Sequence, residues 1–353
     1  MSGERFLSTE KLERLVADLA LAGVRVYAPV QAQGRTEYGL IKDVRQASLS
    51  APLPGMSLKG LFFPPAEPLF RWRQSGPEVA LEAVPTTFEP MVILGARPCD
   101  AASLAVLDGV MGWDYKDELW FGRRQAATIV TIACPGFDDA CFCSAVGLGP
   151  DASKGSDLLL VPVEGGYHVE IVSDKGAALV KAHPACFSDP RGRESAEAFR
   201  QQARRRVGSN LEIDPPRIRA WLADHFEDRF FDGLGLRCHG CGACASVCPT
   251  CHCFDIVDEP EGLLAGTRRR HWDTCQTGKF TVHASGHNPR ADQNPRFRQR
   301  VMHKFWIYPA KFGDVLCTGC GRCTRACPAG QNLLEILGQL DRQPQQIPEG
   351  MTS

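Results

Sequence analysis

Apolar residues in the first half of the chain fall into short blocks that alternate with amphipathic stretches. Met91-Val92-Ile93-Leu94 and Ala127–Ile132 are continuous apolar runs of strand length, the pattern of strands buried on both faces. Residues 24–30, 38–44 and 61–63 read as further short strands. Two more, Leu158–Val163 and residues 167–172, are split by Glu164-Gly165-Gly166 and predict a hairpin. Between the strands lie helical patterns. The first 21 residues read as amphipathic, and Ser8-Thr9-Glu10 is placed to cap a helix running to about residue 22. Residues 101–111 and 175–182 are also expected to be helical. Strands alternating with helices predict an α/β domain over residues 1–188, with a mixed or parallel sheet.

The pattern then changes. Residues 189–235 are charged and helical in period, and they predict a helical connector. One helix is expected over 191–207. A second starts at Asp214-Pro215-Pro216 and continues to about residue 231, with Ile218, Trp221, Leu222 and Phe226 on one face. It would act as a lever between the first domain and residues 236–340. Residues 341–353 are rich in Pro and Gln and predict a loose tail.

Composition narrows the function classes. The chain has 353 residues, enough for two cores, and a formal net charge of −1. That charge argues against a nucleic-acid binder. No apolar run approaches the roughly 18 residues of a membrane span. An apolar signal core and a twin-arginine leader are absent too, so the cytoplasm is expected. Cysteine is abundant, at 16 residues, and its spacing says more than its number.

Cys-x-x-Cys-x-x-Cys-x-x-x-Cys-Pro occurs twice. The first copy is Cys238, Cys241, Cys244 and Cys248, followed by Pro249; the second is Cys317, Cys320, Cys323 and Cys327, followed by Pro328. This is the bacterial ferredoxin spacing for cubane [4Fe–4S] clusters. Thiolates are the soft ligands that iron–sulfide cores prefer. Gly240, Gly242, Gly319 and Gly321 let backbone approach the inorganic core. In two-cluster ferredoxins the fourth Cys of each run ligates the other cluster. The expected sets are therefore Cys238, Cys241, Cys244 and Cys327 for one cube, and Cys317, Cys320, Cys323 and Cys248 for the other. A four-cysteine zinc site is the competing reading, but it would leave thiolates unused. The expectation is an α-helical, two-[4Fe–4S] ferredoxin-type C-terminal domain.

Four further cysteines form a separate case. Cys99 and Cys134 each follow an apolar strand, where open α/β sheets collect their ligand sites. Cys141-Phe142-Cys143 presents two more thiols. The four could hold a third [4Fe–4S] cluster, or they could be small buried residues. Cys251, Cys253 and Cys275 are expected to pack against the clusters, and Cys186 has no functional reading. The long insert between the motifs is basic, with nine Lys or Arg from Arg268 to Lys304 against two Asp. Its Arg and His side chains are expected to face the anionic clusters and raise their potential.

The stretch from Arg97 to Pro328 resembles the β subunit of sulfhydrogenases, the NAD(P)-linked nickel–iron hydrogenases, and the corresponding subunit of anaerobic sulfite reductase. The matching pieces include Arg97-Pro98-Cys99-Asp100, Cys141-Phe142-Cys143-Ser144, Cys248-Pro249-Thr250-Cys251-His252-Cys253, Trp272-Asp273-Thr274-Cys275, Gly286-His287-Asn288 and His303-Lys304-Phe305. The resemblance implies an electron-relay subunit. It would link a flavin- and NAD(P)-binding reductase partner to a catalytic subunit of hydrogenase or sulfite reductase type. A second reading makes the chain a flavin enzyme in its own right, with flavin near Arg97 and Asp100 and phosphate at Gly122-Arg123-Arg124. Those arginines could equally form ion pairs. No P-loop, Gly-x-Gly-x-x-Gly fingerprint or serine–histidine–carboxylate set is present, so no nicotinamide site of its own is expected.

Overall fold

A computed structural model describes residues 3–51, 53–84, 87–208 and 213–344. Its strands are β1 (Gly3–Ser8), β2 (Arg25–Ala32), β3 (Arg35–Ile41), β4 (Ala66–Ser75), β5 (Glu78–Ala83), β6 (Met91–Ala96), β7 (Ala127–Ile132), β8 (Leu158–Val163), β9 (Gly166–Ile171), β10 (Phe254–Pro260) and β11 (Ala265–Trp272). Seven of them form one sheet in the order β1-β9-β8-β7-β6-β2-β3. The central four, β2, β6, β7 and β8, run parallel. The expected mixed α/β sheet is therefore present.

The apolar runs explain its layering. All six residues of β6 are buried. Val92 and Leu94 face one core, which includes Leu12, Leu15 and Leu19 of the helix Thr9–Leu21. Met91 and Ile93 face the other, against Leu104 and Leu107 of the helix Pro98–Met111. Period-two alternation inside a wholly apolar strand thus feeds two helical layers. Ser8 ends β1 and caps the first helix, its Oγ accepting from Lys11 N–H at 3.2 Å.

Several local expectations are corrected. Residues 3–8 are a strand rather than part of an amphipathic helix, because Phe6 and Leu7 are buried in pairing with β9. Residues 61–63 are not a strand; Lys59–Phe62 is a helical turn packed beside Trp120. The lever helix Pro215–Asp224 stops early, where the His225 ring bonds the Trp221 carbonyl and stacks on the indole. The loose tail expected over 341–353 lies mostly outside the described residues.

The largest correction concerns the C-terminal half, which is not simply α-helical. Its helices Gln293–Met302 and Leu333–Asp341 do pack with Pro215–Asp224 around Trp221, Phe297, Val301 and Leu337. The insert between the motifs, however, forms the hairpin β10–β11. β11 pairs with β4 from the first half, giving a second sheet in the order β10-β11-β4-β5. Arg270 of β11 bonds Glu67 of β4 and Asp117 ahead of the helix Glu118–Ala126, with both partners largely buried. Phe142 and Val146 of the first half also enter the C-terminal core. Sequence-distant segments are therefore interleaved, which periodicity along one segment cannot reveal.

Candidate metal centres

The thiols gather around three cavities. The first, called outer, is lined by Cys238, Cys241, Cys244 and Cys327, with Arg300, Gln276 and Leu333. A middle cavity is lined by Cys248, Cys317, Cys320 and Cys323, with Phe142, Lys304 and Leu333. The third, called inner, is lined by Cys99, Cys134, Cys141 and Cys143, with Leu53, Phe137 and Gly319. The structure brings the members of each expected set to one cavity. Neighbouring cavities share walls: Cys323 also lines the outer one and Cys320 also lines the inner one.

The inner group is assembled by topology. β6 and β7 are adjacent and parallel, so their following loops emerge at the same sheet edge. Cys99 starts the helix after β6, and Cys134 follows β7 by two residues. The segment Ala140–Cys143 is then pressed against the second motif loop. Phe142 N–H donates to the Gly319 carbonyl at 2.8 Å. Gly319 and Gly321 have φ of +62° and +70°, and a Cβ there would stand 2.5 Å from Cys143 Cα and 2.2 Å from the Ala140 carbonyl oxygen. Glycine is required at both positions for conformation and for clearance.

Buried charge distinguishes the middle and outer cavities. Arg300 and Lys304 lie on the helix Gln293–Met302 and the π-helical turn after it, and are 4% and 2% exposed. Lys304 Nζ donates to Cys248 Sγ at 3.4 Å, Thr250 Oγ1 at 3.1 Å and the Leu316 carbonyl at 2.8 Å. Arg300 Nε and Nη2 have no hydrogen-bond partner in the structure. Burial opposes the charge on both side chains, but the facing thiols, Cys248 above all for Lys304 and Cys244 for Arg300, outweigh it and hold both cationic. A buried guanidinium with unpartnered nitrogens is costly, so Arg300 calls for an anion in the outer cavity that it lines.

The thiols carry the complementary signal. Burial pushes Cys143 and Cys317 up to about 12 and Cys320 up to about 11. Cys248 is held well below the ordinary range, because the Cys251 thiol and Lys304 stabilise its sulfur as a thiolate. Buried thiols become thiolates when a metal replaces their protons. Soft donors, close-approaching glycine loops and the buried cations Arg300 and Lys304 together fit an anionic iron–sulfur core. Among the described residues, no group of three or more His, Cys, Asp or Glu could hold a single metal ion. The thiols ring cavities instead.

The expectation for the basic insert is refined. Arg300 and Lys304 face the cavities, whereas Arg268 and Arg298 pair with Asp258 and Glu227. His252 and His303 stack edge to face at 5.4 Å, and burial pushes them down to about 4 and about 3, so neither ring adds positive charge at neutral pH. The flavin reading loses its phosphate ligands. Arg97 donates to the Leu49 and Ala51 carbonyls at 2.7 Å, Arg123 pairs with Glu67, and Arg124 pairs with Asp108. Asp100 is wholly buried and receives both Arg322 nitrogens, at 2.7 and 2.9 Å, and the Tyr38 hydroxyl at 2.8 Å. Sequence reasoning missed this Asp100–Arg322 tie between the halves; its signal was an Arg directly inside the second cysteine motif.

Comparison with known proteins agrees with this chemistry. The family model of the 4Fe–4S dicluster domain matches residues 237–331. Over 317 residues the chain is 28% identical to sulfhydrogenase 2 subunit beta of Pyrococcus furiosus, spanning 90% of this chain and 92% of that one. No solved structure matches the chain. Among the described residues, no helix is long and apolar enough to cross a membrane. Motif and similarity agree: the chain is similar to a sulfhydrogenase β subunit, and residues 237–331 match the 4Fe–4S dicluster domain.

Proposed function

We propose that the chain is an iron–sulfur relay with three [4Fe–4S] positions in line, inner to middle to outer. The observation that carries this reading is the sharing of walls: Cys320 lines two neighbouring cavities, and Cys323 lines two. A cluster bound at each position would supply one-electron storage. The thiolates of Cys99, Cys134, Cys141 and Cys143 would hold the inner one. Cys248, Cys317, Cys320 and Cys323 would hold the middle one, and Cys238, Cys241, Cys244 and Cys327 the outer one.

The remaining side chains have physical tasks. Arg300 and Lys304 offset negative charge at the middle and outer positions, which favours the reduced state there. Phe142 and Leu333 keep the middle cavity apolar. At the inner position Arg325 Nη2 donates to Cys141 Sγ at 3.1 Å and pairs with Asp138. Cys241 is exposed, so the outer position reaches the surface.

In function the relay would connect a flavin- and NAD(P)H-reactive partner to a catalytic subunit, of which a nickel–iron hydrogenase is the best-supported case given the sulfhydrogenase relative. Iron and acid-labile sulfide per chain, after anaerobic purification, test the reading. Three positions require about twelve of each and two require about eight. A value of about eight would remove the inner position.

A further inference from the structure

Apart from Cys186 in the core of the large sheet, three cysteines stand outside the four-thiol groups. Cys251 and Cys253 follow the first motif, and Cys275 follows β11. The hairpin brings the last two together: Asp273 N–H donates to the Cys253 carbonyl at 2.9 Å, and Cys275 lies two residues on. Their side chains interact, each shifting the protonation of the other. This contact sets them apart from the cavity thiols, which surround space.

The pair adjoins the relay on two sides. Gln276 Nε2 donates to Cys275 Sγ at 3.3 Å, and the Cys238 thiol approaches Gln276 Oε1 at 4.0 Å. Gln276 itself lines the outer cavity. Two residues before Cys253, the Cys251 side chain interacts with Cys248 of the middle cavity. The surroundings favour the anionic form of Cys275. Lys59, 2% exposed, donates to the Cys251 carbonyl at 3.0 Å and lies over the Trp272 ring at 3.8 Å. The charges of Arg300 and Lys304 also act on Cys275. The hydrogen bond from Cys253 also pushes the Cys275 thiol down to about 6.

We propose that Cys253 and Cys275 form a dithiol–disulfide couple that exchanges two electrons with the relay. The proposal rests on the iron–sulfur reading of the adjoining cavities. In oxidation the Cys253 S–H bond breaks and its sulfur joins the Cys275 thiolate in one S–S bond. One proton passes to water from the pair, which reaches solvent at the half-buried Cys253. The two electrons leave singly to one-electron acceptors, the iron–sulfur groups of the outer and middle positions. Reduction reverses each step. Such a couple matches one-electron carriers to a two-electron donor or acceptor.

Peptide mapping tests the proposal. The anaerobic protein is oxidised with ferricyanide or reduced with dithionite, and its free thiols are trapped with N-ethylmaleimide before digestion. Cys253 and Cys275 peptides are expected to be linked in the oxidised sample and separately alkylated in the reduced one. In a dithionite titration, Cys253→Ser should take about two electrons fewer per chain, with unchanged iron. Alkylation of both thiols in both samples overturns the proposal. Loss of iron in both Cys253→Ser and Cys275→Ala also overturns it, by making the pair metal ligands. An iron-free parent would instead sink the relay reading, and linked peptides in that sample would still establish the couple.

Discussion

The C-terminal and N-terminal cysteine groups reach the same arrangement, four thiols around a cavity, by opposite routes. At the middle and outer cavities most thiols come from one short loop, with two-residue gaps and glycines that bring the sulfurs around a common centre. At the inner cavity two thiols come from the ends of adjacent parallel strands and two from a loop clamped by the second motif. The first construction is local and survives changes elsewhere in the fold. The second depends on the sheet and on the contact between the two halves. Their electrostatics differ too: Arg300, with two unpartnered nitrogens, and Lys304, bonded to the Cys248 sulfur, serve the C-terminal cavities, while the inner one has Arg325, paired with Asp138.

The largest expected effect tests what the two groups share. Cys320 lines both the middle and inner cavities, so Cys320→Ser should remove about four irons and abolish electron transfer through the chain. Circular dichroism should still report the seven-stranded sheet. Normal iron content in this variant would break the assignment. Cys143→Ser tests the inner group alone. It should lower iron from about twelve to about eight per chain and leave the spectroscopic signals of the other two positions intact. Unchanged iron would make the N-terminal thiols packing residues.

Asp100→Asn tests the tie between the halves. It leaves the Arg322 guanidinium buried without its counter-charge, a change that costs about 3–5 kcal/mol. Chemical denaturation should show a loss of that size, with the inner position losing iron before the outer one. A shift within about 0.5 kcal/mol, the range of ordinary surface substitutions, would show that the halves are held together by other contacts. The smallest effect sharpens the electrostatic contrast. Arg300→Gln should lower the potential of an adjoining position by on the order of 60 mV, equivalent to about 1.4 kcal/mol for one electron. Arg268→Gln, at an exposed pair with Asp258, should leave every potential unchanged. Equal shifts from both would mean that general charge, rather than buried charge, sets the potential.

These contrasts track what was legible from residue order. The repeated Cys-x-x-Cys-x-x-Cys-x-x-x-Cys-Pro runs identify cluster chemistry without any structure, because a tight loop dictates where its own thiols point. The apolar runs at Met91–Ala96 and Ala127–Ile132 likewise specify central strands, because only burial on both faces suits them. Ser8 marks a helix start through its own side chain. Local chemistry sufficed for all of these.

Other features are long-range and were not legible. β4 and β5 carry charged and exposed residues with little alternation; β4 is a strand because β11 supplies hydrogen bonds from about 200 residues away, and β5 pairs with β4 in turn. Arg300 looks like any other arginine of a basic insert until helix packing buries it without a counter-ion. Asp100 and Arg322 lie 222 residues apart, and neither position alone announces the other. The sequence by itself determined which residues suit metal–sulfur chemistry, since donor type and spacing are properties of a short segment. Tertiary structure alone decided how the three groups adjoin, which cations face them and which thiols pair, since desolvation and distance exist only once remote segments pack.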